Sequence, residues 1–315
     1  LASSRHSRCL SAEGEAPGRS ASALEPDPVD RCTTSRPKLS GLDWLSDRAQ
    51  MAPMEQFGLA VSGLLVVFAL FTAVWLASII YGKVSIVDVF WSLAFLVLAV
   101  WFLWHTPERT LRSVFIVALV AIWAVRLAGY LAWRTAGAPE DHRYAKMREA
   151  WGSRFRWVSL FTVFWLQAFL AWIISLPLWW AITHSAESQP LWDALAFVLW
   201  AAGFTIETTA DAQLARFKSD QRNAGQVLQT GLWRYSRHPN YFGEAVLWWG
   251  FYGFAVSSAG WWTILSPLLM TFLLLKVSGI PLLEPALLER RPGYSEYIRR
   301  TPAFFPWFPK REGPG

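Results

Sequence analysis

Residues 231–244 read Gly-Leu-Trp-Arg-Tyr-Ser-Arg-His-Pro-Asn-Tyr-Phe-Gly-Glu, a cluster of charged and hydrogen-bonding groups set between long apolar segments. Such groups are costly at a membrane unless they bind something. Arg234 and Arg237 suit phosphate or carboxylate, and Tyr235, His238, Asn240, Tyr241 and Glu244 suit amide, ribose or carbonyl groups. Pro239 fixes its own φ and biases His238 towards an extended conformation, so the turn is stiff. Asn240 reads as the N-cap of the next helix, with Glu244 in its first turn. A basic, capped loop is the plainer reading, but capping does not require the other polar groups.

Three more constellations stand out. Glu207 and Asp211 are spaced i, i+4 on one helix face, and two like charges so close call for cations, which Arg216 and Lys218 are near enough to supply. Arg126 and Tyr130 share another face, with Arg134 one turn further. Arg126 lies too deep in an apolar segment to snorkel and needs a partner. Asp88, in the first turn of its own apolar segment, is a candidate. Asp88, Arg126 and Tyr130 are therefore the candidate catalytic groups, with helix-dipole stabilisation the plainer reading of Asp88. In the tail, Glu284, Tyr294, Tyr297, Arg299 and Arg300 precede a Pro-rich aromatic stretch, 302–309, that is expected to cap a site or to anchor at the membrane interface.

The elements that position these groups follow from composition. The chain is 54% hydrophobic and only 17% charged, with 21 Trp in 315 residues, where a soluble domain is near a quarter charged. Its apolar runs are long enough to cross a bilayer. The expected fold is all-α, a polytopic membrane bundle of about seven spans at 57–80, 85–104, 112–133, 158–182, 191–210, 241–258 and 261–283. Trp101, Trp104, Trp179, Trp180, Trp192, Trp261 and Trp262 stand near span ends, where aromatic belts form.

Lys and Arg concentrate between spans three and four, between five and six, and in the tail, whereas the opposite loops are poor in them. The positive-inside rule then places the C-terminus in the cytoplasm. Residues 1–50 are a polar stretch rich in Ser, Arg and Pro that reads as disordered. Their seven Lys/Arg would lie on the opposite side, so Met51 or Met54 is a candidate start and the leader a candidate start-site artefact. Residues 51–315 form one membrane domain, divided into substrate-side helices, 57–183, and a cofactor-binding region, 191–310. The net charge of +6 is the kind that membrane topology produces, and nucleic acid is not an expected partner. Cys9 and Cys32 both fall in the leader, the five His never pair at ligand spacing, and there is no Gly-X-Gly-X-X-Gly or Walker loop. A metal centre and a Rossmann site are thus not expected.

The run from Asp211 to Phe217, the stretch Gly231–Glu244 and the tail Tyr294-x-x-Tyr297 with its closing Phe-Pro resemble the bacterial branch of the steroid 5-alpha-reductase-like membrane family. The likeness covers most of 57–310. It implies a multi-pass protein of the bacterial inner membrane that binds NADPH in a polar cavity facing the cytoplasm. It further implies reduction of a carbon–carbon double bond in a lipophilic substrate, steroid-, isoprenoid- or fatty-acyl-like. By resemblance, Asn240 and Glu244 hold the nicotinamide end, and Asp211, Tyr235 and Tyr297 contact the cofactor. Glu207 stands where the family has Asn. The ketone-polarising Glu and Tyr of the steroid reductases have no clear counterparts: Trp123 falls where the Tyr is expected, and Asp88 and Tyr130 are the nearest substitutes. Arg216, Arg237, His238, Tyr241 and Arg300 complete the candidate cofactor set, and the cations Arg216, Lys218, Arg222, Arg234, Arg299 and Arg300 suit the polyanionic NADPH. A rival resemblance exists. Arg237-His238-Pro239 with the downstream Glu and Tyr-x-x-Tyr is similar to the isoprenylcysteine and phospholipid methyltransferases, which use S-adenosylmethionine. A non-catalytic lipid-binding protein is the third reading.

Overall fold

A computed structural model of the chain describes residues 52–310. The leader and the start-site question lie outside these residues. In chain order the helices are α1 (Pro53–Tyr81), α2 (Ile86–His105), α3 (Leu111–Thr135), α4 (His142–Trp151), α5 (Phe155–Ser159), α6 (Leu166–Ile174) and α7 (Leu176–Thr183). They continue with α8 (Pro190–Ser219), α9 (Pro239–Ser257), α10 (Leu265–Phe272), α11 (Ile280–Arg290) and α12 (Tyr294–Arg300), and no strand occurs among the described residues. Six stretches are long and apolar enough to cross a membrane: 54–81, 86–105, 111–135, 142–174, 190–219 and 261–290. The chain is an all-helical, multi-pass membrane bundle. The seventh expected span, 241–258, is α9, and its Trp, Tyr, Gly and Glu content keeps it outside that set.

Two sequence expectations change. The fifth span does not end near 210, because α8 continues unbroken to Ser219. Glu207 and Asp211 thus lie within a helix, both buried. Asn240 is not an N-cap: α9 begins at Pro239 with His238 in the capping position and no side-chain cap bond. Glu244 accordingly sits beyond the first turn. The Pro at the first helical position already suits a helix start, since it lacks the N–H that a cap would satisfy.

α8 and α9 share the largest helix–helix contact in the molecule, and small residues allow it. A Cβ on Gly243 would meet the Glu207 backbone nitrogen at 2.5 Å, and one on Gly250 would meet that of Trp200 at 2.6 Å. Between membrane helices, close backbone approach supplies van der Waals packing where the hydrophobic effect supplies little. This contact holds Asn240 and Glu244 of α9 against Asp211 and Glu207 of α8. One apolar core runs from Leu59 to Phe304. Trp123 and Trp248 sit at its centre, in edge-to-face contact with centroids 5.5 Å apart.

Trp104, Trp192 and Trp261 are exposed, as a belt requires. Trp101 and Trp180 instead donate indole N–H bonds to Ser62 and to the Ser258 carbonyl, and Trp179 is buried. At the end far from the polar stretch, Arg112 forms a bidentate pair with Asp193 and also donates to the Ala181 and Phe254 carbonyls. It ties α3, α7, α8 and α9 together.

Candidate functional site

The centre of the polar region is Arg126. Its Nη1 donates to Asp211 Oδ2 at 2.6 Å, and its Nη2 pairs with Glu207. Asn240 Nδ2 donates to the other Asp211 oxygen at 3.3 Å. One guanidinium from α3 thus joins two carboxylates of α8 and, through Asp211, the amide of α9. Glu244 is near enough for its charge to act on Arg126, Asp211 and Glu207. The expected Arg126–Asp88 pair does not form. Asp88 accepts instead from Arg143 Nη2 at 2.9 Å and from the Tyr144 hydroxyl at 2.8 Å. The reason is local: α4 folds its Arg and Tyr back onto the start of α2, whereas the i, i+4 carboxylates of α8 face Arg126 across the bundle. Among the described residues neither Arg216 nor Lys218 is paired with Glu207 or Asp211, whose salt bridges are with Arg126. Tyr130 is partly buried one turn beyond Arg126, and the Arg134 guanidinium lies over its ring at 5.7 Å.

Next to this network is a cavity of about 190 Å³ lined by Asn240, Tyr241, His238, Tyr294, Tyr297 and Arg134, among others. It shares Phe217, Lys218 and Arg291 with an outer recess of about 460 Å³ that also includes Asn223 and Asp220. Together they make a continuous cleft. Lys218 and Arg291 line both parts, and Arg134, Arg237, His238 and Asn240 line the smaller one.

The loop 231–238 is held in place by the tail. Gly231 turns the chain at φ +62°, and a Cβ there would strike the Gln213 side chain at 2.6 Å. Gln213 Oε1 accepts from Leu232 N–H at 3.0 Å. Arg237 is spent on structure: Glu284 accepts from its Nε at 2.7 Å and its Nη2 at 3.1 Å, while the Ile298 and Thr301 carbonyls take Nη1. His238 Nε2 lies 3.0 Å from the same Glu284 and its ring stacks on Tyr241. The Tyr297 hydroxyl donates to the Trp233 and Ser236 carbonyls. Burial, with Tyr294 beside it, pushes that phenol well above its ordinary range, so it stays a donor. Ser236 donates to the Phe304 carbonyl at 2.9 Å, and Trp307 N–H to the Tyr235 carbonyl at 2.9 Å.

Of the expected cofactor residues, Asn240, Tyr241, His238, Arg237 and Tyr297 line the cleft, and Asp211 reaches it through Asn240. Arg237 and Tyr297 serve mainly to fasten the loop. Tyr235 is turned out of the cleft, its ring against Phe308. Arg216 is exposed and Arg300 pairs with Glu296 at 3.0 Å, and neither lines the cleft. Nor do Arg222, Arg234 or Arg299, and Arg222 is bonded to Asp220. Sequence reasoning missed Arg134 and Arg291 as cleft cations and Glu284 as the anchor of Arg237 and His238. The signal for Arg134 was available in its i+8 spacing from Arg126, whereas Arg291 and Glu284 are brought in by the tertiary course of the tail.

An uncharacterized protein of Schizosaccharomyces pombe is 29% identical over 283 residues, covering 78% of this chain and 79% of the relative. No solved structure matches. Residues 74–301 match the family model described as a protein of unknown function, DUF1295, and the chain belongs to that family.

Proposed function

We propose that this protein is a membrane-embedded reductase that holds NADPH in the cleft between α8, α9 and the tail and reduces a carbon–carbon double bond in a lipophilic substrate. The observation that carries the reading is the lining of the cleft: the cations Lys218, Arg291 and Arg134, together with Asn240, whose amide is held by the buried Asp211 behind it. NADPH offers phosphates to such cations and an amide-bearing ring to such an amide. The resemblance to steroid 5-alpha-reductase-like proteins adds support at Asp211, Asn240 and Glu244.

The residues fit such a group. Glu207 Oε2 and Arg126 Nε are buried without hydrogen-bond partners, and buried polar atoms are normally satisfied. Bound there, NADPH supplies the hydride. Lys218, Arg291 and Arg134 would hold its phosphate oxygens, which suit ammonium and guanidinium groups. Asn240, whose amide nitrogen is held by Asp211, would have its carbonyl left to accept from the carboxamide. Tyr130 is the remaining candidate to hydrogen-bond a substrate carbonyl, since Asp88 is committed to Arg143 and Tyr144. A donor aimed at developing oxyanion charge is worth about 2.7–4 kcal/mol. The cations at this end of the bundle support placing the cleft, and with it the C-terminus, in the cytoplasm.

A methyltransferase using S-adenosylmethionine is the second reading. The carboxylates around Arg126 favour it, since they suit a sulfonium cation. The experiment that tests the first is NADPH titration of the detergent-purified protein and two variants. Asn240→Ala and the double variant Lys218→Ala/Arg291→Ala should each weaken binding by about tenfold or more, roughly 1.4 kcal/mol. Unchanged affinity in both would contradict the assignment of the cleft.

A further inference from the structure

Beyond α12 the tail buries one aromatic ring and exposes three. Phe304 packs against Phe242 of α9, whereas Phe305, Trp307 and Phe308 are 69%, 73% and 73% exposed. Phe308 lies against the exposed ring of Tyr235, so loop and tail present one aromatic surface. The backbone behind it is fixed. Arg237 N–H donates to the Pro302 carbonyl, Trp307 N–H to that of Tyr235 and Lys310 N–H to that of Arg300, each at 2.9 Å. A contiguous set of large rings held facing outward marks an interaction surface. Cations stand beside it: Arg234, with its guanidinium 6.0 Å from the Tyr235 ring, Arg299 and Lys310 are all exposed. Among the described residues none of the three pairs with a carboxylate, and the neighbouring Glu296 is taken by Arg300.

The height of this surface in the bundle identifies what covers it. α9 has 19 residues and so spans about 28 Å, close to the roughly 30 Å of a bilayer's hydrocarbon core. Its far end is followed by the exposed Trp261 and Trp262, which suit one interface. Its near end at Pro239 therefore stands at the other, and Phe305 contacts Phe242 just inside it. Rings at this level meet glycerol and upper acyl groups, and cations beside them meet lipid phosphates. We propose that residues 305–310, with Arg234, Tyr235 and Arg299, form a seat for anionic lipid headgroups. The inference does not depend on what the cleft binds. Because Ser236 and Arg237 are bonded to tail carbonyls, and Arg237 and His238 line the cleft, the same lipids fix the cleft's loop at headgroup level.

The test uses the full chain with Cys9→Ser and Cys32→Ser, which leaves no thiol, and one new cysteine, Phe305→Cys or Phe308→Cys, carrying a nitroxide spin label. Each protein is placed in nanodiscs of phosphatidylcholine alone or mixed with phosphatidylglycerol. Collisions with oxygen, which dissolves in the bilayer, are compared with collisions with a neutral nickel chelate, which stays in water. The reference is a label at Arg222→Cys, an exposed position past the end of α8. Both tail labels should show an oxygen-to-nickel ratio above the reference, rising at least about twofold when anionic lipid is present. Replacing Arg234, Arg299 and Lys310 together by Gln should abolish that rise. A ratio equal to the reference overturns the proposal, as does a ratio indifferent to anionic lipid. Shielding from both reagents would show that protein, such as a second copy of this chain, covers the surface, and also overturns it. Two label positions guard against misfolding of one variant, which size exclusion would reveal.

Discussion

At the scale of the residue, Arg126 decides whether the polar network is stable. It pairs with Glu207 and Asp211, which are otherwise enclosed by apolar helices. Removing one partner of a buried pair strands the other, which typically costs about 3–5 kcal/mol. Arg126→Ala should therefore lower the thermal stability of the detergent-solubilised protein by about that amount, and Arg126→Ala combined with Glu207→Gln and Asp211→Asn should recover part of it. A single variant as stable as the wild type would show that the pairs do not form. The need for an Arg126 partner was legible in the sequence, because a guanidinium deep in an apolar run cannot reach the interface. The partner was not: the sequence offered Asp88, and only the placement of the helices brings Glu207 and Asp211 to Arg126. Helical spacing identifies which groups share a face and says nothing about which face of another helix they meet.

At the scale of the element, the α8–α9 contact builds the site, and glycine makes it possible. Gly243→Val would drive a branched side chain into the Glu207 backbone. Overpacking a close contact typically costs about 1–3 kcal/mol, and here the strain falls between Asn240 and Glu244. Thermal unfolding and NADPH affinity should fall together, and a variant with unaltered melting would contradict the close approach. The α1–α2 junction carries a separate charge device. Burial alone would raise the Glu140 carboxyl, but backbone N–H bonds from Val84 and Ser85 at 2.9 Å, with Arg148, hold it below the usual range. A carboxylate depressed on folding contributes stability that is present above its unfolded value, about 4.3, and lost as pH falls through the folded one. Stability should thus decline below about pH 5, and Glu140→Gln should flatten that decline, as melting curves across pH would show. The existence of the membrane helices was legible in the apolar runs. The length of α8 was not, because polar residues from Glu207 onward look like a span end when a partner helix that accepts them is not yet in view. The cap of α9 was misassigned for a similar reason: Asn240 suits the position, but the helix starts at Pro239, two residues earlier than such a cap implies, and the amide bonds Asp211.

At the scale of the whole molecule, the two ends of the bundle are built differently. One end closes on the self-satisfied Arg112–Asp193 clamp. The other opens into a cleft whose loop is strapped down by Tyr297, Glu284 and the 302–310 tail. A wall held in this way, with Lys218, Arg134 and Arg291 along the cleft, suits an elongated anionic ligand. That division between a polar stretch and an apolar body was readable from residues 231–244 alone. The cleft itself needed Arg134 and Arg291, which are far apart in the sequence and meet only through the fold. The most direct measurement is a side-by-side titration of the purified protein with NADPH and with S-adenosylmethionine, read by calorimetry. Saturable NADPH binding with little heat from S-adenosylmethionine is the predicted result, and saturable binding of S-adenosylmethionine with none of NADPH would contradict it.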